Sequence, residues 1–304
     1  MEILINDQKL DFKLENEKTL KDIVAGIEDW LRKEDLCITA MRHGKTDLLA
    51  QPQNLWEELP LSDIDVLNLE IQSYSQLRYS SLSNFIDFTR SFKKAVVENN
   101  TKEIKDLIEG YPFLTEGLNL LFQPEMFPDI YRHFAPLNTM LQDKNTEKGL
   151  AIISQNESNF LEALDGFHRI LAQVLIESEE PQAALEKLTE QLSESGKAIS
   201  EVAILLQTGK DKQAMEHLLF FSDVLQSLLR VFYMLKEKKH IDFLKNRIGD
   251  QSFEEFYQEL NNKMRELIQA FDNNDSVLIG DLLEYEIAPQ LENLVAFLTH
   301  LEVK

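Results

Sequence analysis

The side chains that could take part in catalysis or metal binding are few and scattered along this sequence. Its six histidines are His43, His133, His168, His217, His240 and His300. None lies in an H-E-x-x-H motif and no G-x-S-x-G motif is present, so the sequence argues against a zinc protease and a serine hydrolase. Local motifs therefore predict no catalytic site.

Two pairs of residues have the spacing of a chelating site. Asp165 and His168 stand one helical turn apart, as do Asp281 and Glu284. A di-iron bundle needs carboxylates in paired motifs, and a calcium loop needs alternating oxygen ligands around a central glycine. The sequence has neither pattern, so both pairs are interpreted as solvated helix faces. We predict no bound metal and no cofactor.

The segment 110–138 differs from its surroundings, because it holds four of the eight prolines, and these should interrupt helices. Its candidates for a protein-binding surface are Tyr111, Phe113, Phe127, Tyr131 and Phe134. Two interpretations stay open. Either the rings fill the joint between a small helical unit and the main bundle, or they form an exposed docking surface, since aromatic side chains are enriched at interface hot spots.

The charge balance bears on the kind of partner. The chain has 31 Lys and Arg against 53 Asp and Glu, a formal net charge of -22. This surplus repels phosphate backbones and anionic lipid, so we predict no nucleic-acid partner and no membrane insertion. It favours a protein partner that is basic or that presents an amphipathic helix.

Cysteine use and the first residues bear on the compartment. Cys37 is the one cysteine, so it can form neither an internal disulfide nor a Cys-rich zinc site. The chain opens without a basic export signal and has no run of about 18 apolar residues. We therefore expect a cytoplasmic location.

Residues 1–74 show the alternation of strands around a single amphipathic helix. Thr19 to Asp22 matches a capping box, and the apolar residues that follow recur at helical spacing. The predicted elements are strands Glu2–Asn6 and Leu10–Leu14, a helix that begins after Thr19, and strands Leu36–Arg42 and Val66–Ile71.

This order, with the stretch Leu61 to Ile71 that leads into the last strand, resembles the ubiquitin-like β-grasp fold over the first quarter of the chain. Members of that family that act as covalent modifiers or sulfur carriers end in a flexible Gly-Gly whose carboxylate is activated. Here Gln72-Ser73-Tyr74 continues into more protein without a glycine. The resemblance therefore implies a binding module and not a carrier.

The Ser-rich stretch 75–83 lacks a strong period and is predicted as a linker. Beyond it, 84–304 is predicted as an all-α region of tandem antiparallel helical hairpins, divided into a small unit at 84–145 and a main bundle at 146–304. The fold class is therefore α+β. The predicted helices are Phe85–Asn99, Phe160–Glu177, Gln182–Glu194, Ala198–Gln207, Asp211–Lys236, Phe253–Phe271 and Ser276–Leu301.

Apolar stripes and helix stops support the bundle. The predicted helix Asp211–Lys236 carries a heptad seam, and other helices have matching stripes, so we expect them to bury one another. The seam is Ala214, Leu218, Phe221, Leu225, Leu228, Phe232 and Leu235. Near 99–101, 209–211 and 273–275 a helix stops at Gly or Asn and the next restarts at Asp or Thr, as hairpins do.

We predict a non-enzymatic cytoplasmic adaptor or assembly factor that acts by protein–protein interaction. A chaperone for secreted or flagellar-type subunits is one alternative, since an acidic bundle suits capture of an amphipathic helix. An enzyme with a site at the domain junction is another. That enzyme would need a closed pocket lined by two or more of Asp165, His168, His217 and Glu284.

Overall fold

The computed structural model describes residues 1–11, 17–52, 55–142, 145–237, 247–273 and 275–301. The chain divides into two compact units, Met1–Ser81 and Leu82–Lys304. The first contains a mixed sheet and the second is built almost wholly of helices, so the predicted α+β class is confirmed.

The first unit is a five-stranded sheet with the strand order β2-β1-β5-β3-β4. Strand β1 pairs with β5 in parallel, and the other pairings are antiparallel. A short 3-10 helix, Leu61–Asp63, precedes the last strand. The elements are β1 (Glu2–Ile5), β2 (Gln8–Lys9), α1 (Leu20–Lys33), β3 (Leu36–His43), β4 (Thr46–Asp47) and β5 (Val66–Ser73). They follow the predicted order, with the two-residue β4 as an additional strand that was not predicted.

Helix α1 begins where the capping box predicts. The Asp22 carboxylate accepts hydrogen bonds from the Lys18 and Thr19 backbone amides at 2.9 and 3.0 Å, and these bonds hold the pKa of Asp22 below its ordinary value. The buried stripe of α1 packs over the sheet, so the helix covers one face of it. This core includes Leu20, Ile23, Val24, Ile27 and Leu31 of α1 with Ile3, Met41, Leu67 and Leu69 of the strands.

The second strand lies earlier than predicted. Asn6 and Asp7 both have positive φ, 48° and 64°, and form a two-residue turn that pairs Ile5 with Gln8. Such turns favour Asn and Asp at both central positions, so the reversal already includes Asn6, which was predicted as the last residue of the first strand. Strand β2 is therefore Gln8–Lys9 and not Leu10–Leu14, of which positions 12–14 lie outside the described residues.

Long helices make up the second unit. The described helices are α2 (Tyr74–Val97), α3 (Thr101–Leu121), α4 (Pro128–Leu141), α5 (Thr146–Gln155), α6 (Glu157–Glu179), α7 (Pro181–Gln207), α8 (Asp211–Glu237), α9 (Phe253–Asp272), α10 (Ser276–Asp281) and α11 (Ala288–Thr299). A small hairpin of β6 (Arg247–Ile248) and β7 (Gln251–Ser252) precedes α9. The stretch 75–83, predicted as a linker, is helical and lies within α2.

Two other predictions of helix ends are wrong in part or in whole. Pro124 and Pro128 lie at the break between α3 and α4, as predicted, but Pro112 and Pro136 lie inside these helices without ending them. At Pro112 the burial of Ile108, Tyr111 and Leu114 on both sides offsets its cost of ~3 kcal/mol. The predicted helices Gln182–Glu194 and Ala198–Gln207 form one helix, α7. Leu192 and Ile199 lie seven residues apart on one buried stripe. Their burial stabilises α7 across the predicted break between residues 194 and 198.

The hairpin turns follow the predicted stops. Asn99 and Gly209 adopt positive φ, 52° and 70°, and Asp275 caps α10 by accepting from the Leu278 amide at 3.0 Å. The cap of α3 is Asn100 in place of the expected Thr101. In α8 the predicted seam is buried except for half-buried Leu225, and it packs against α7 and the C-terminal helices.

Helix α8 is also long and apolar enough to cross a membrane by length and composition. In the fold, 56% of its most apolar window is buried. Burial inside a helical core accounts for the same composition, so this helix by itself decides nothing about location.

A π-helical turn, Leu282–Ile287, joins α10 to α11 inside the predicted helix Ser276–Leu301. The Ala288 amide donates to the Leu283 carbonyl five residues back. Leu283, Ile287 and Leu291 follow one another in steps of four, which would drift by about 40° a step in a regular α-helix. The extra residue in the π turn cancels this drift, so all three stay buried with Ile279.

The π turn also accommodates Pro289, which lies in the first turn of α11 and would clash with a carbonyl four residues back in a regular helix. Deletion of exposed Tyr285 should convert the π turn into α-helix and lower the free energy of unfolding by ~3 kcal/mol, because Pro289 then lies in a helix interior. Adding Pro289→Ala should recover most of that loss. Urea denaturation with far-UV circular dichroism measures both.

Deletion of Asn293 is the matched control. It falls in regular helix, so Leu294 and Leu298 rotate by about 100° away from the core, and a loss of ~4 kcal/mol or more is expected. If the Tyr285 deletion with Pro289→Ala were as unstable as the Asn293 deletion, the register argument would be wrong.

Candidate functional site

Four helices of the second unit, α4, α6, α7 and α8, enclose a cleft of about 170 Å³, called here the four-helix cleft. Helical spacing explains why polar residues meet there, because each helix contributes residues three or four positions apart. The lining residues are Asp129, Arg132 and His133 of α4; Ile170 and Gln173 of α6; Leu188 and Gln191 of α7; and Phe220, Asp223, Val224 and Ser227 of α8.

Behind the cleft lies a fully buried arginine. Arg230 of α8 donates from Nε and Nη2 to the two carboxylate oxygens of Glu177 at 2.7 and 2.9 Å, and from Nη1 to Asp129. Its Nη2 also donates to the Ser227 hydroxyl at 3.1 Å. Asp129, Glu177 and Arg230, called here the Arg230 cluster, thus connect α4, α6 and α8 with two charge-assisted contacts.

Burial acts on both partners of this ion pair. It raises the pKa of Glu177 and lowers the pKa of Arg230, since removing either charge from water costs free energy. Each Glu177 oxygen receives a donor from Arg230, and Gln173 adds another at 2.9 Å. Three donors match an ionised carboxylate, which is an acceptor only, so we assign Glu177 as charged beside a charged guanidinium.

Arg132 and Asp223 form an ion pair beside the cleft. Arg132 Nη2 donates to Asp223 Oδ1 at 2.9 Å, and both side chains are about half exposed. The guanidinium has further N–H groups and the carboxylate a second oxygen, so each can take another ligand without breaking the pair.

His133 and Gln191 contribute polar groups that make no hydrogen bond to another residue in the described ranges. Burial and then the nearby charge of Arg132 lower the pKa of His133, so its imidazole is neutral at pH 7. Gly166 of α6 allows the ring to lie close, because a Cβ there would stand 3.3 Å from His133 Nδ1. The cleft therefore presents both donors and acceptors.

Most of the five aromatic candidates of segment 110–138 lie in the core. Tyr111, Phe127 and Phe134 are buried, which contradicts an exposed docking role for them. Phe127 contacts the rings of Phe122 and Tyr233, and Phe134 contacts those of Tyr111 and Phe167. The first interpretation, rings that fill the joint, matches these contacts.

The other two aromatic candidates behave differently. Tyr131 is half-buried, and its hydroxyl donates to the Phe122 carbonyl at 2.7 Å, where it closes the end of α3. Phe113 is 76% exposed and is the one member of the set that presents its ring to solvent. A single exposed ring does not make an aromatic docking surface, which was the second of the two interpretations.

The residues that the enzyme alternative requires, Asp165, His168, His217 and Glu284, do not line the four-helix cleft. Asp165 binds Lys93 at 2.7 Å, and His168 shares a hydrogen bond with Thr89 at 2.8 Å. His217 Nδ1 lies 3.0 Å from the Ala198 carbonyl. Among the residues that the structure describes, no three His, Cys, Asp or Glu side chains are grouped as metal ligands. His240 lies outside those residues.

Arg230 was not predicted as a functional residue, although the sequence carries a signal for it. It stands in the run Leu228-Leu229-Arg230-Val231-Phe232, in which the neighbours on both sides are apolar. A charged residue inside an apolar run is expected to be buried, and a buried charge needs a partner. This pattern is the signal by which Arg230 could have been predicted.

Glu177→Gln should lower the free energy of unfolding by ~3–5 kcal/mol, because it leaves the buried Arg230 charge without its main partner. Chemical denaturation measures the change. Glu179→Gln on the exposed side of the same helix is the control and should stay within ~0.5 kcal/mol of the parent. Equal stability of the two variants would contradict the assignment of Glu177 as charged.

Phe127→Ala should remove a fully buried ring and lower the free energy of unfolding by ~3–5 kcal/mol. Phe113→Ala truncates the exposed ring in the same aromatic set and should change the free energy of unfolding by less than ~0.5 kcal/mol. Thermal and urea denaturation of the two variants compare them directly. A small effect of Phe127→Ala would contradict its place in the core.

Two family models match parts of the chain. Residues 1–73 match the TP0873 N-terminal domain, and residues 183–296 match a domain of unknown function, DUF8042. An uncharacterized protein of Treponema pallidum (strain Nichols) is 26% identical over 122 residues, which cover 40% of this chain and 60% of that protein. No solved structure matches the chain. The first match ends with β5, and the second spans most of α7 to α11.

Proposed function

We propose that this chain is a non-enzymatic cytoplasmic adaptor whose helical unit binds a protein partner through the exposed face of α8. The observation that supports the proposal is a pair of exposed apolar residues one turn apart, Met215 and Leu219, with 44% and 56% of their surface exposed. Exposed apolar side chains beside charged ones are a common feature of protein-binding surfaces.

Acidic side chains lie next to this pair. On the helical wheel, Glu216 and Asp223 stand between Leu219 and Phe220, and both are exposed. Lys212 is the basic residue on this part of α8, and its ammonium lies 3.9 Å from Glu216. The α8 strip, defined as Met215, Glu216, Leu219 and Asp223, thus places two exposed apolar side chains beside two carboxylates. Each carboxylate also has a cation next to it, Lys212 at Glu216 and Arg132 at Asp223.

The α8 strip is complementary to a basic amphipathic helix. Apolar side chains of such a helix would cover Met215 and Leu219, and its Lys or Arg residues would face Glu216 and Asp223. The net charge of -22 adds long-range attraction for a basic partner, which raises the rate of encounter at low salt.

The first unit supports a binding role in a second way. We propose that it is a ubiquitin-like β-grasp module, because its first and last strands pair in parallel at the centre of the sheet and α1 covers one face. At the end of β5 the chain enters α2 at Tyr74, with no Gly-Gly and no carboxylate to activate. Recognition by a preformed surface is the use of the fold that these residues allow.

The test uses the full chain and a designed basic amphipathic peptide that alternates Leu and Lys at helical spacing. Fluorescence anisotropy should show saturable binding that Met215→Ser with Leu219→Ser weakens about tenfold or more. Raising the salt concentration should weaken binding to the parent chain.

Ile176→Ser provides the matched control, since Ile176 is an exposed apolar residue on α6. A scrambled peptide of the same composition controls for charge alone. Equal binding by the scrambled peptide, or by the Met215→Ser, Leu219→Ser variant, would overturn the proposal.

A further inference from the structure

We propose that the four-helix cleft is a binding site for a small zwitterion, an α-amino acid with a short aliphatic side chain. This site shares Asp223 with the α8 strip but would recognise a different ligand through different neighbouring residues, and it does not depend on the adaptor role. Its basis is the Arg132–Asp223 ion pair beside a cleft that holds polar groups with spare hydrogen-bonding capacity.

The size of the cleft restricts the ligand. Its volume is about 170 Å³. One bound water needs only ~10–15 Å³ of such space, whereas pockets for drug-sized ligands begin near ~300 Å³. A molecule with the bulk of a small amino acid lies between these limits.

The charges of the lining decide between ligand classes. Arg132 contributes one positive charge, and Asp129 and Asp223 contribute negative ones, with the Arg230 guanidinium directly behind Asp129. A simple cation would face Arg132, and a simple anion would face two carboxylates. A zwitterion satisfies both signs, with its carboxylate on the spare N–H groups of Arg132 and its ammonium on the second oxygen of Asp223.

Neutral polar groups can complete the recognition. The Ser227 hydroxyl already accepts from Arg230 Nη2 at 3.1 Å and from Gln173 Nε2 at 3.3 Å, so its own hydrogen is left to donate. The Gln191 amide and the neutral His133 imidazole each offer donor and acceptor atoms. Ile170, Leu188 and Val224 supply the apolar wall that a short aliphatic side chain would contact.

The Arg230 cluster makes this site rigid. Asp129 is held by Arg230 and by the Ile130 amide at 3.0 Å, and Gln173 is held between Glu177 and Ser227. Groups that are fixed before the ligand arrives lose less conformational entropy on binding.

The test titrates the full chain with L-alanine and L-valine by calorimetry, with N-acetyl-L-alanine and L-alanine methyl ester as probes that each lack one charge. Saturable binding of the amino acids is expected, and each derivative should bind about tenfold more weakly or worse. In NMR spectra the His133 ring signals should shift on titration, while those of His300 stay in place.

Arg132→Gln and Asp223→Asn should each weaken amino-acid binding about tenfold or more. Arg169→Gln and Glu216→Gln are matched controls on exposed positions outside the cleft lining, and they should bind as the parent does. Gln191→Leu removes a cleft amide without touching the ion pair, so it keeps the test valid if a charge variant does not fold.

Three results would overturn the proposal: no saturable binding of either amino acid, equal binding of the charge-deficient derivatives, or unchanged binding by Arg132→Gln, Asp223→Asn and Gln191→Leu. None of these measurements involves Met215 or Leu219. Failure here therefore leaves the adaptor proposal to its own test.

Discussion

The second unit depends on one buried charge. Arg230 is completely removed from solvent, and it stays compatible with the fold because Glu177, Asp129 and Ser227 accept its hydrogen bonds. These partners come from sites 53 and 101 residues away in sequence, as well as from the same helix. Few packings of α4, α6 and α8 bring all of them together, so the pairing selects one arrangement of these helices.

Apolar packing surrounds this charged centre. The α7–α8 hairpin and the C-terminal helices share one core, and the aromatic chain through Phe122, Phe127 and Tyr233 connects the α3–α4 region to α8. Apolar contacts supply the bulk of the stabilisation but tolerate small shifts of one helix along another. The directional hydrogen bonds of Arg230 do not tolerate such shifts, so they fix the positions that the cleft residues adopt.

Much of this architecture follows from local rules that the sequence displays. The capping box at Thr19, the seam along α8 and the stops at Asn99 and Gly209 each depend on residues close together in sequence, and each was predictable. The α7 helix and the continuity of α3 through Pro112 were not, because distant packing outweighs the local preferences there. The π turn left a trace in the four-residue steps from Leu283 to Leu291, which a fixed α-helical period misses.

The four-helix cleft could not be predicted from the sequence. Asp129, Gln173, Gln191 and Asp223 lie on four helices, and each alone resembles an ordinary surface residue in the sequence. Their convergence depends on helix packing, which no local pattern encodes. Spacing within one helix could at best have grouped Asp129 with Arg132 and His133.

Stability alone does not account for the Arg230 cluster. A buried ion pair often stabilises a fold no more than apolar residues of the same shape would. Arg230 and its partners therefore add little to the stability of the core beyond what apolar side chains would give. The effect of Arg230 on the cleft is to keep the Asp129 carboxylate charged. A carboxylate at Asp129, almost fully buried, would be expensive to keep charged without a cation behind it, and replacement of the cluster by apolar residues would remove that carboxylate from the cleft wall. The buried arginine is therefore better understood as the support of a polar cleft wall than as a source of stability.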